Sequence, residues 1–457
     1  MEKPTKIIPR FVTLKSKDSF PRNKMKILDS HSICRDFLKE LTRDRSIVTD
    51  REFKTIETLI NGIITQENPS PNKIHDEVVK GASKRTFYRN IHRLASQMPT
   101  MYSKFISSVQ ENTELKMQKS GYLSIDEHIV PHSSQKMEGV DYFYSTTANG
   151  QKLGHSLITT HYFGGSVEYP VRFQFYRRKQ ELERWDKLDL YNKKNAIARE
   201  QLGKVFALPR SPKTILMDSF FMTKDNCKFL QKHDKSYISR PRRNWKCTYQ
   251  HKKQSLTDLF ENIPEDEFTL TTVKNPKTKK TKQYLTATRN VFFSKIGTHR
   301  VVFVKDPNPK EKDLFQNAEK SKSSKGVKFR VFVTNDMSLS AGEILSIYSL
   351  RWTIETGYRD MSQNLGLHGC KWRELSGQYC FIGLTFLCYI FLVWARQASL
   401  LNRYNSSLKT LGEMRTAFRH YCQEEFSIWL SHIRKQCGTC PMANWIHKHV
   451  FTEKGSY

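Results

Sequence analysis

The chain has 457 residues, with 76 Lys and Arg against 45 Asp and Glu, a formal net charge of +31. That length allows two or three domains and a sizeable core. The charge is spread along the chain, which argues against a simple basic appendage and points to a polyanionic partner, above all nucleic acid, with anionic membrane as the competitor.

The opening stretch, MEKPTKIIPRFVTLKSKD, is charged and lacks the apolar run of a secretory signal. Residues 1–28 read as a basic arm. Nine Cys show no secreted-type framework, so reduced thiols in a cytosolic setting are expected. Residues 29–115 carry helical spacing and read as a helical DNA-binding domain. Within it, a helix over Asn72–Lys80, a turn at Gly81 and a second helix over Ser83–Ser96 capped by Ser83 match a helix-turn-helix plan. The second helix turns Phe87, Ile91 and Leu94 inward, leaving Lys84, Arg85, Tyr88, Arg89 and Arg93 to face DNA. An ordinary helical hairpin with a basic face is the plainer alternative.

From Gly121 the period changes to that of strands. GYLSIDEHIVP, KLGHSLITTHYFGG, SVEYPVRFQFYR, TILMDSFF and SYISRPRR are strand-like, with helical patterns over Tyr191–Ala207 and Thr223–His233. Gly164-Gly165 reads as a hairpin turn. This is the first part of a mixed α/β core, 116–243. Residues 244–323 break the rhythm and read as a mostly β insertion with a basic surface. The core resumes over 324–400, and 401–457 form a helical tail. The apolar run Tyr379–Ala395 is at the lower limit for a membrane span and reads instead as a buried helix. Cys437-Gly-Thr-Cys440 with His447 and His449 is a weak zinc signal.

Ser340 to Leu367 reads as one long helix, capped by Ser340 with Glu343 three residues on. Ile347, Leu350, Ile354, Tyr358, Met361 and Leu365 form its buried stripe. Beside the stripe, Tyr348, Arg351, Glu355, Arg359 and Ser362 share one side, which suits a carboxylate holding a metal while cation and hydroxyl hold phosphates. Asp126 and Asp218 each end a strand. Buried acids at strand ends need a cation. Asp126, Asp218 and Glu355 together can hold two Mg²⁺, with Glu127 a local rival for the first position.

These motifs carry a resemblance. YLSIDEH, LMDSFF and Tyr348-Ser-Leu-Arg351-Trp-Thr-Ile-Glu355, preceded by VFVTNDMSLSAGEIL, resemble those of a DDE transposase of the insertion-sequence class. In that subgroup the last motif reads Tyr-x2-Arg-x3-Glu-x6-Lys. The resemblance covers about 120 to 395 and implies a ribonuclease-H-like mixed sheet with flanking helices, interrupted by a β insertion and preceded by the helical DNA-binding domain. It implies Asp126, Asp218 and Glu355 as catalytic metal ligands, holding two Mg²⁺ with Mn²⁺ able to substitute. Tyr348, Arg351 and Arg359 would then grip DNA phosphates. Trp245 and Phe292-Phe293 are stacking candidates, though burial within the insertion is the simpler reading. The implied partners are double-stranded DNA, as terminal inverted repeats and target, and a second copy of the chain, with no membrane, in the cytoplasm on the nucleoid.

Two departures stand out. Ser362 occupies the expected Lys position, with Arg359 as its substitute, and Met217 precedes the second Asp where a small residue is usual. Two rivals remain: a metal-dependent DNA nuclease without strand transfer, and a DNA-binding protein with a dead core.

Overall fold

The computed structural model describes residues 32–42, 48–77, 83–145, 149–307, 314–315 and 329–437. The basic arm, the Gly81 turn, Cys440, His447, His449 and the Cys437 side chain lie outside the described residues.

Four helices come first: α1 (Ser32–Leu41), α2 (Asp50–Thr65), α3 (Pro71–Glu77) and α4 (Lys84–Val109). A capping box starts α2: the Thr49 hydroxyl accepts the Glu52 N–H at 3.3 Å, and Glu52 accepts the Thr49 N–H at 2.9 Å. Ser83 caps α4 as expected, accepting the Thr86 N–H at 3.2 Å. The helix then runs well past Ser96. Met98, Met101, Tyr102, Phe105, Ile106 and Val109 continue the buried stripe begun by Phe87, Ile91 and Leu94, so burial carries the helix onward.

The strands follow as β1 (Tyr122–Pro131), β2 (Asp141–Ser145), β3 (Gly150–Gly164) and β4 (Val167–Tyr176). After them come α5 (Lys179–Arg184), α6 (Lys194–Phe206), β5 (Thr214–Met217), α7 (Lys224–Lys232) and β6 (Ser236–Ser239). Gly165 takes φ +61 in the β3–β4 hairpin, a backbone that favours glycine. The β-rich segment holds β7 (Lys246–Tyr249), β8 (Lys252–Ser255), α8 (Leu256–Glu261), β9 (Thr269–Lys274), β10 (Thr281–Phe293) and β11 (Gly297–Lys305). The chain closes with β12 (Phe329–Thr334), α9 (Ala341–Tyr348), α10 (Trp352–Asn364), α11 (Leu375–Gln397) and α12 (Leu411–Cys437).

All twelve strands among the described residues join one mixed sheet in the order β2-β3-β1-β5-β6-β12-β11-β10-β7-β8, with β4 on β3 and β9 on β10. Its centre is parallel: β1 pairs with β5 and β5 with β6. The fold is a mixed α/β sheet with flanking helices, consistent with a ribonuclease-H-like transposase core. The β-rich segment prolongs that sheet, because β11 pairs antiparallel with β12 from Arg300↔Thr334 to Lys305↔Phe329.

Helix α11 is long and apolar enough to cross a membrane, yet 94% of its most apolar window is buried inside the protein. It packs against α1, α2, α4, α12 and β4. Phe173 stacks on Tyr379 at 4.3 Å, Phe391 meets Phe37 at 5.3 Å, and Phe418 closes on Phe391 at 5.0 Å. The seven described cysteines are all buried and free.

The expected long helix over 340–367 is broken. A 3-10 turn, Ser349–Arg351, separates α9 from α10. The Ser349 hydroxyl donates to the Ser346 carbonyl at 2.6 Å, and the Asn275 amide donates to the Ser349 hydroxyl at 2.9 Å. Side-chain bonds of this kind compete with the helical ladder. The break has a packing purpose. Helix α9 joins a core with Leu216, Ile238, Val302 and Phe332, whereas α10 joins the larger core that holds Ile215 and Met217. Alternate residues of a strand point to opposite faces. The chain therefore crosses from one face of the sheet to the other at Ser349–Arg351.

Candidate active site

Parallel pairing of β1 and β5 puts Ile125 opposite Met217. The next residue of each chain segment is an acid, so Asp126 and Asp218 lie side by side. Asp126, expected to end its strand, sits within β1, which pairing with β3 carries on to Pro131, while Asp218 directly follows β5. Asp126 Oδ1 accepts the Glu127 N–H at 2.8 Å. Asp218 Oδ1 accepts the N–H groups of Phe220 and Phe221 at 3.0 and 3.1 Å, which fixes the turn after β5. Glu355 comes from the first turn of α10.

Arg351 sits among these acids. Its Nη1 donates to Asp126 Oδ2 at 3.0 Å, and its Nη2 to Glu355 Oε1. The pairs are largely out of water: the side chains of Arg351, Asp126 and Glu355 are 14%, 15% and 25% exposed. Burial pushes the Asp126 carboxyl up to about 8; Arg351 opposes that rise, and Asp218 and Glu355 add to it. Burial also raises Asp218 and Glu355 against the same guanidinium. Burial disfavours charge on Arg351, but Tyr348 and the three acids outweigh it and hold the guanidinium firmly charged.

Glu127, the rival first ligand, is engaged elsewhere. It accepts from the Ser156 hydroxyl at 2.6 Å and the Lys194 ammonium at 2.5 Å. Tyr348 is buried, and its hydroxyl donates to the Met217 carbonyl at 3.3 Å, tying α9 to β5. It thus supports the acid-bearing turn from behind. Tyr358 forms the inner wall, stacked on His128 at 4.2 Å with its hydroxyl on Thr159. Ser362 is turned inward, donating to the Tyr358 carbonyl at 2.7 Å and meeting His368 at 3.1 Å.

Arg359 faces another way. It is exposed and lines a cleft of about 280 Å³ with Trp352, Thr353, Thr356, Asn275 and Lys277. The expected common side for Tyr348, Arg351, Glu355, Arg359 and Ser362 is therefore split. The helix break removes Tyr348 from it, and Arg359 opens onto the cleft while Ser362, a turn further on, bonds inward to Tyr358 and His368. Lys84, Arg85, Arg89 and Arg93 are exposed on α4, and Tyr88 is half-buried. Of the stacking candidates, Phe293 is buried against Trp245 at 5.6 Å and Phe292 is half exposed.

The donor set tests whether a metal suits the site. Three carboxylates, with no sulfur or imidazole beside them, are the hard oxygen donors that Mg²⁺ or Mn²⁺ prefers. Burial is the main cause of their raised proton affinity, and repulsion from neighbouring acids adds to it. Among the described residues no group of three or more His, Cys, Asp or Glu side chains is gathered so that it could hold a metal ion, the three acids included. Arg351 supplies positive charge between Asp126 and Glu355. The set fits a divalent cation by chemistry, with Arg351 competing for two of its three ligands.

Sequence reasoning missed that competition. A guanidinium four residues before a glutamate looks the same whether it turns to DNA or to its own carboxylates. It also missed Lys194, which pairs with Glu127; Glu127 nonetheless adds to the rise of the Asp218 carboxyl.

Residues 192–391 match the family described as Transposase DDE domain. The matched segment includes Asp218, Arg351 and Glu355, runs through the β-rich segment, and leaves Asp126 and α1–α4 outside. It supports reading the chain as a DDE transposase. No curated protein matches the sequence.

Proposed function

We propose that this chain is a DNA transposase of the insertion-sequence class, with Asp126, Asp218 and Glu355 as its catalytic carboxylates. The observation that carries the reading is their convergence. Asp126 in β1 and Glu355 in α10 share the Arg351 guanidinium, and Asp218 directly follows β5, the parallel neighbour of β1. The family match over 192–391 supports the same reading from an independent direction.

In this reading Asp126, Asp218 and Glu355 would hold two Mg²⁺, or Mn²⁺ in their place. Such ions lower the pKa of a bound water or hydroxyl and stabilise the leaving oxygen of a phosphodiester. The chain's own residues do the rest. The Phe220 and Phe221 amides fix the Asp218 carboxylate, and Tyr348 braces the turn that carries it. Arg351 orients Asp126 and Glu355 and is the cation nearest the reacting phosphate. Arg359, exposed on the adjoining cleft, would take a flanking phosphate; Lys277 on the same cleft is held by Glu168. Exposed cations on α4 add sequence-independent affinity for duplex.

Hydrolysis of one phosphodiester at the element end yields a 3′-hydroxyl and a 5′-phosphate. That hydroxyl then attacks a phosphodiester of target DNA, exchanging one ester for another with no covalent enzyme intermediate. Two ends must be handled together, so a dimer forms on DNA bearing terminal inverted repeats. The cytoplasm, on the nucleoid, is the proposed setting.

The test is a joining assay. Purified protein, Mg²⁺ and a labelled duplex carrying the inverted repeats that flank the gene are incubated with supercoiled target. Labelled end joined to target supports the transposase. Cut ends that never join favour the nuclease, and binding without chemistry favours a DNA-binding protein with an inert core.

A further inference from the structure

A notch opens between α4 and the segment Lys371–Glu374, well away in sequence from the acids. It is a shallow, open depression of about 610 Å³, lined by Tyr88, Arg89, His92, Arg93, Ser96 and Trp372. We propose that it binds an unpaired nucleotide of a DNA strand, with the base against Trp372 and the neighbouring phosphates on Arg89 and Arg93. The inference rests on the DNA-acting reading above and names a contact that reading does not supply.

The indole is held in place in advance. Trp372 lies over Gly377, where an added Cβ would stand 2.5 Å from the ring. Its carbonyl accepts the buried Gln378 amide at 2.7 Å. The next carbonyl, of Arg373, accepts the Glu138 N–H at 2.8 Å, and the Glu138 carboxylate accepts the Leu375 N–H at 3.1 Å. Tyr88 meets the indole edge-on at 5.7 Å and 74°, and its own hydroxyl donates to Asn72 at 2.5 Å. Both rings are only partly buried. A fixed, partly exposed indole loses little entropy when a flat ring stacks on it.

The rim selects for a phosphodiester chain. Arg89 and Arg93 are exposed, and neither has a carboxylate partner among the described residues. Lys371 and Arg373 are exposed beside them. Of the acids nearby, Glu374 pairs with His92 at 3.2 Å, and Asp76, near Tyr88, with His75 at 2.9 Å. A cationic rim around an aromatic floor suits a base with phosphates on either side. In a duplex the bases are stacked inside, so it offers phosphates to the rim and no free ring face to Trp372. The notch therefore distinguishes an unpaired nucleotide from paired DNA.

The experiment measures binding of the full chain to labelled eight-residue strands by fluorescence anisotropy at near-physiological salt. The strands are oligo-dT, an abasic strand of equal charge, oligo-rU and an eight-base-pair duplex, with free thymidine monophosphate as competitor. Oligo-dT is expected to bind about 10-fold more tightly than the abasic strand. Trp372→Ala should remove that margin while leaving duplex affinity within about twofold. Arg89→Gln with Arg93→Gln, both at exposed positions, should weaken all strands and flatten the salt dependence. Oligo-rU bound as well as oligo-dT would extend the ligand to either nucleic acid and overturn the restriction to DNA. Competition by the free nucleotide at micromolar levels would overturn the need for a strand. Equal binding of dT and abasic strands by the wild type overturns the stacking site outright, whatever Trp372→Ala does to stability. Loss of joining with this pattern intact would remove the transposase reading alone; joining without the pattern would remove the notch alone.

Discussion

Replacing Arg351 with Gln probes the acid cluster directly. The guanidinium is the cation in contact with both Asp126 and Glu355, and all three side chains are no more than a quarter exposed. Removing one partner of a buried ion pair costs about 3–5 kcal/mol, because the other charge is left without compensation. Here the cluster lies at an edge that water reaches, so about 2–4 kcal/mol is expected. The assay is urea unfolding in the presence of chelator, for wild type, Arg351→Gln, Asp126→Asn and the double variant. Asp126→Asn removes one of the repelling acids, so the loss should be smaller in its background. The double-mutant cycle should return a coupling of about 1–3 kcal/mol. A loss below about 0.5 kcal/mol for Arg351→Gln, or strict additivity in the cycle, would refute the claim that Arg351 neutralises the acids.

Other expectations follow from the same geometry. Asp218 accepts two backbone N–H groups, yet burial raises its carboxyl; Asp218→Asn should stabilise the protein in chelator by about 0.5–2 kcal/mol, read as a higher Tm, while abolishing cleavage. Glu138 bridges Arg177 at 3.1 Å, Lys187 at 2.6 Å and the Leu375 N–H. Burial alone would raise its carboxyl, but the bonds from Lys187 and Leu375 and the charge of Arg177 hold it below the usual carboxylate range. Its contribution is therefore complete above the ordinary carboxylate pKa and lost as pH falls through the lower folded value. Glu138→Gln should cost about 2–4 kcal/mol at pH 7 and weaken the acid limb of a stability profile. Gly154 lies on β3 where an added Cβ would stand 2.3 Å from the Val130 carbonyl; Gly154→Ala should force β3 from β1 and lower the urea midpoint sharply, whereas Gly165→Ala, with open space around it, should show only the smaller cost of its positive φ.

Where the sequence was legible, the signal was local. Runs of β-branched and aromatic residues marked β1, β3 and β4, and an acid at the end of TILMD marked Asp218. Asp126, expected at a strand end, instead lies inside β1, because pairing with β3 carries that strand on to Pro131. Ser83 and Ser340 announced their helices because a cap is written in a few adjacent residues. The continuous apolar run at 379–395 could only be a span or a buried helix, and its surroundings make it the latter.

What remained hidden depended on pairing at a distance. The β-rich segment looked like an insertion with its own rhythm, and nothing local says that β11 lies against β12. The stripe through Ile347, Leu350 and Ile354 runs unbroken across Ser349, although Ile347 and Leu350 belong to one core and Ile354 to the other. The shared side assigned to Tyr348 and Arg359 failed for that reason. Short elements such as β2 and α5 carry too few residues for a period to register. Arg351 was legible as a functional cation, but its contact with Asp126 joins residues 225 apart in sequence.

The central claim is that three acids from separate parts of the chain form one catalytic centre. The most direct measurement is metal-dependent cleavage of the flanking inverted repeat by Asp126→Ala, Asp218→Ala and Glu355→Ala, each checked for retained DNA binding, with Glu127→Ala alongside. Cleavage lost in the first three and kept in the fourth is the predicted result. Robust cleavage by any of the first three, or loss confined to Glu127→Ala, would contradict it.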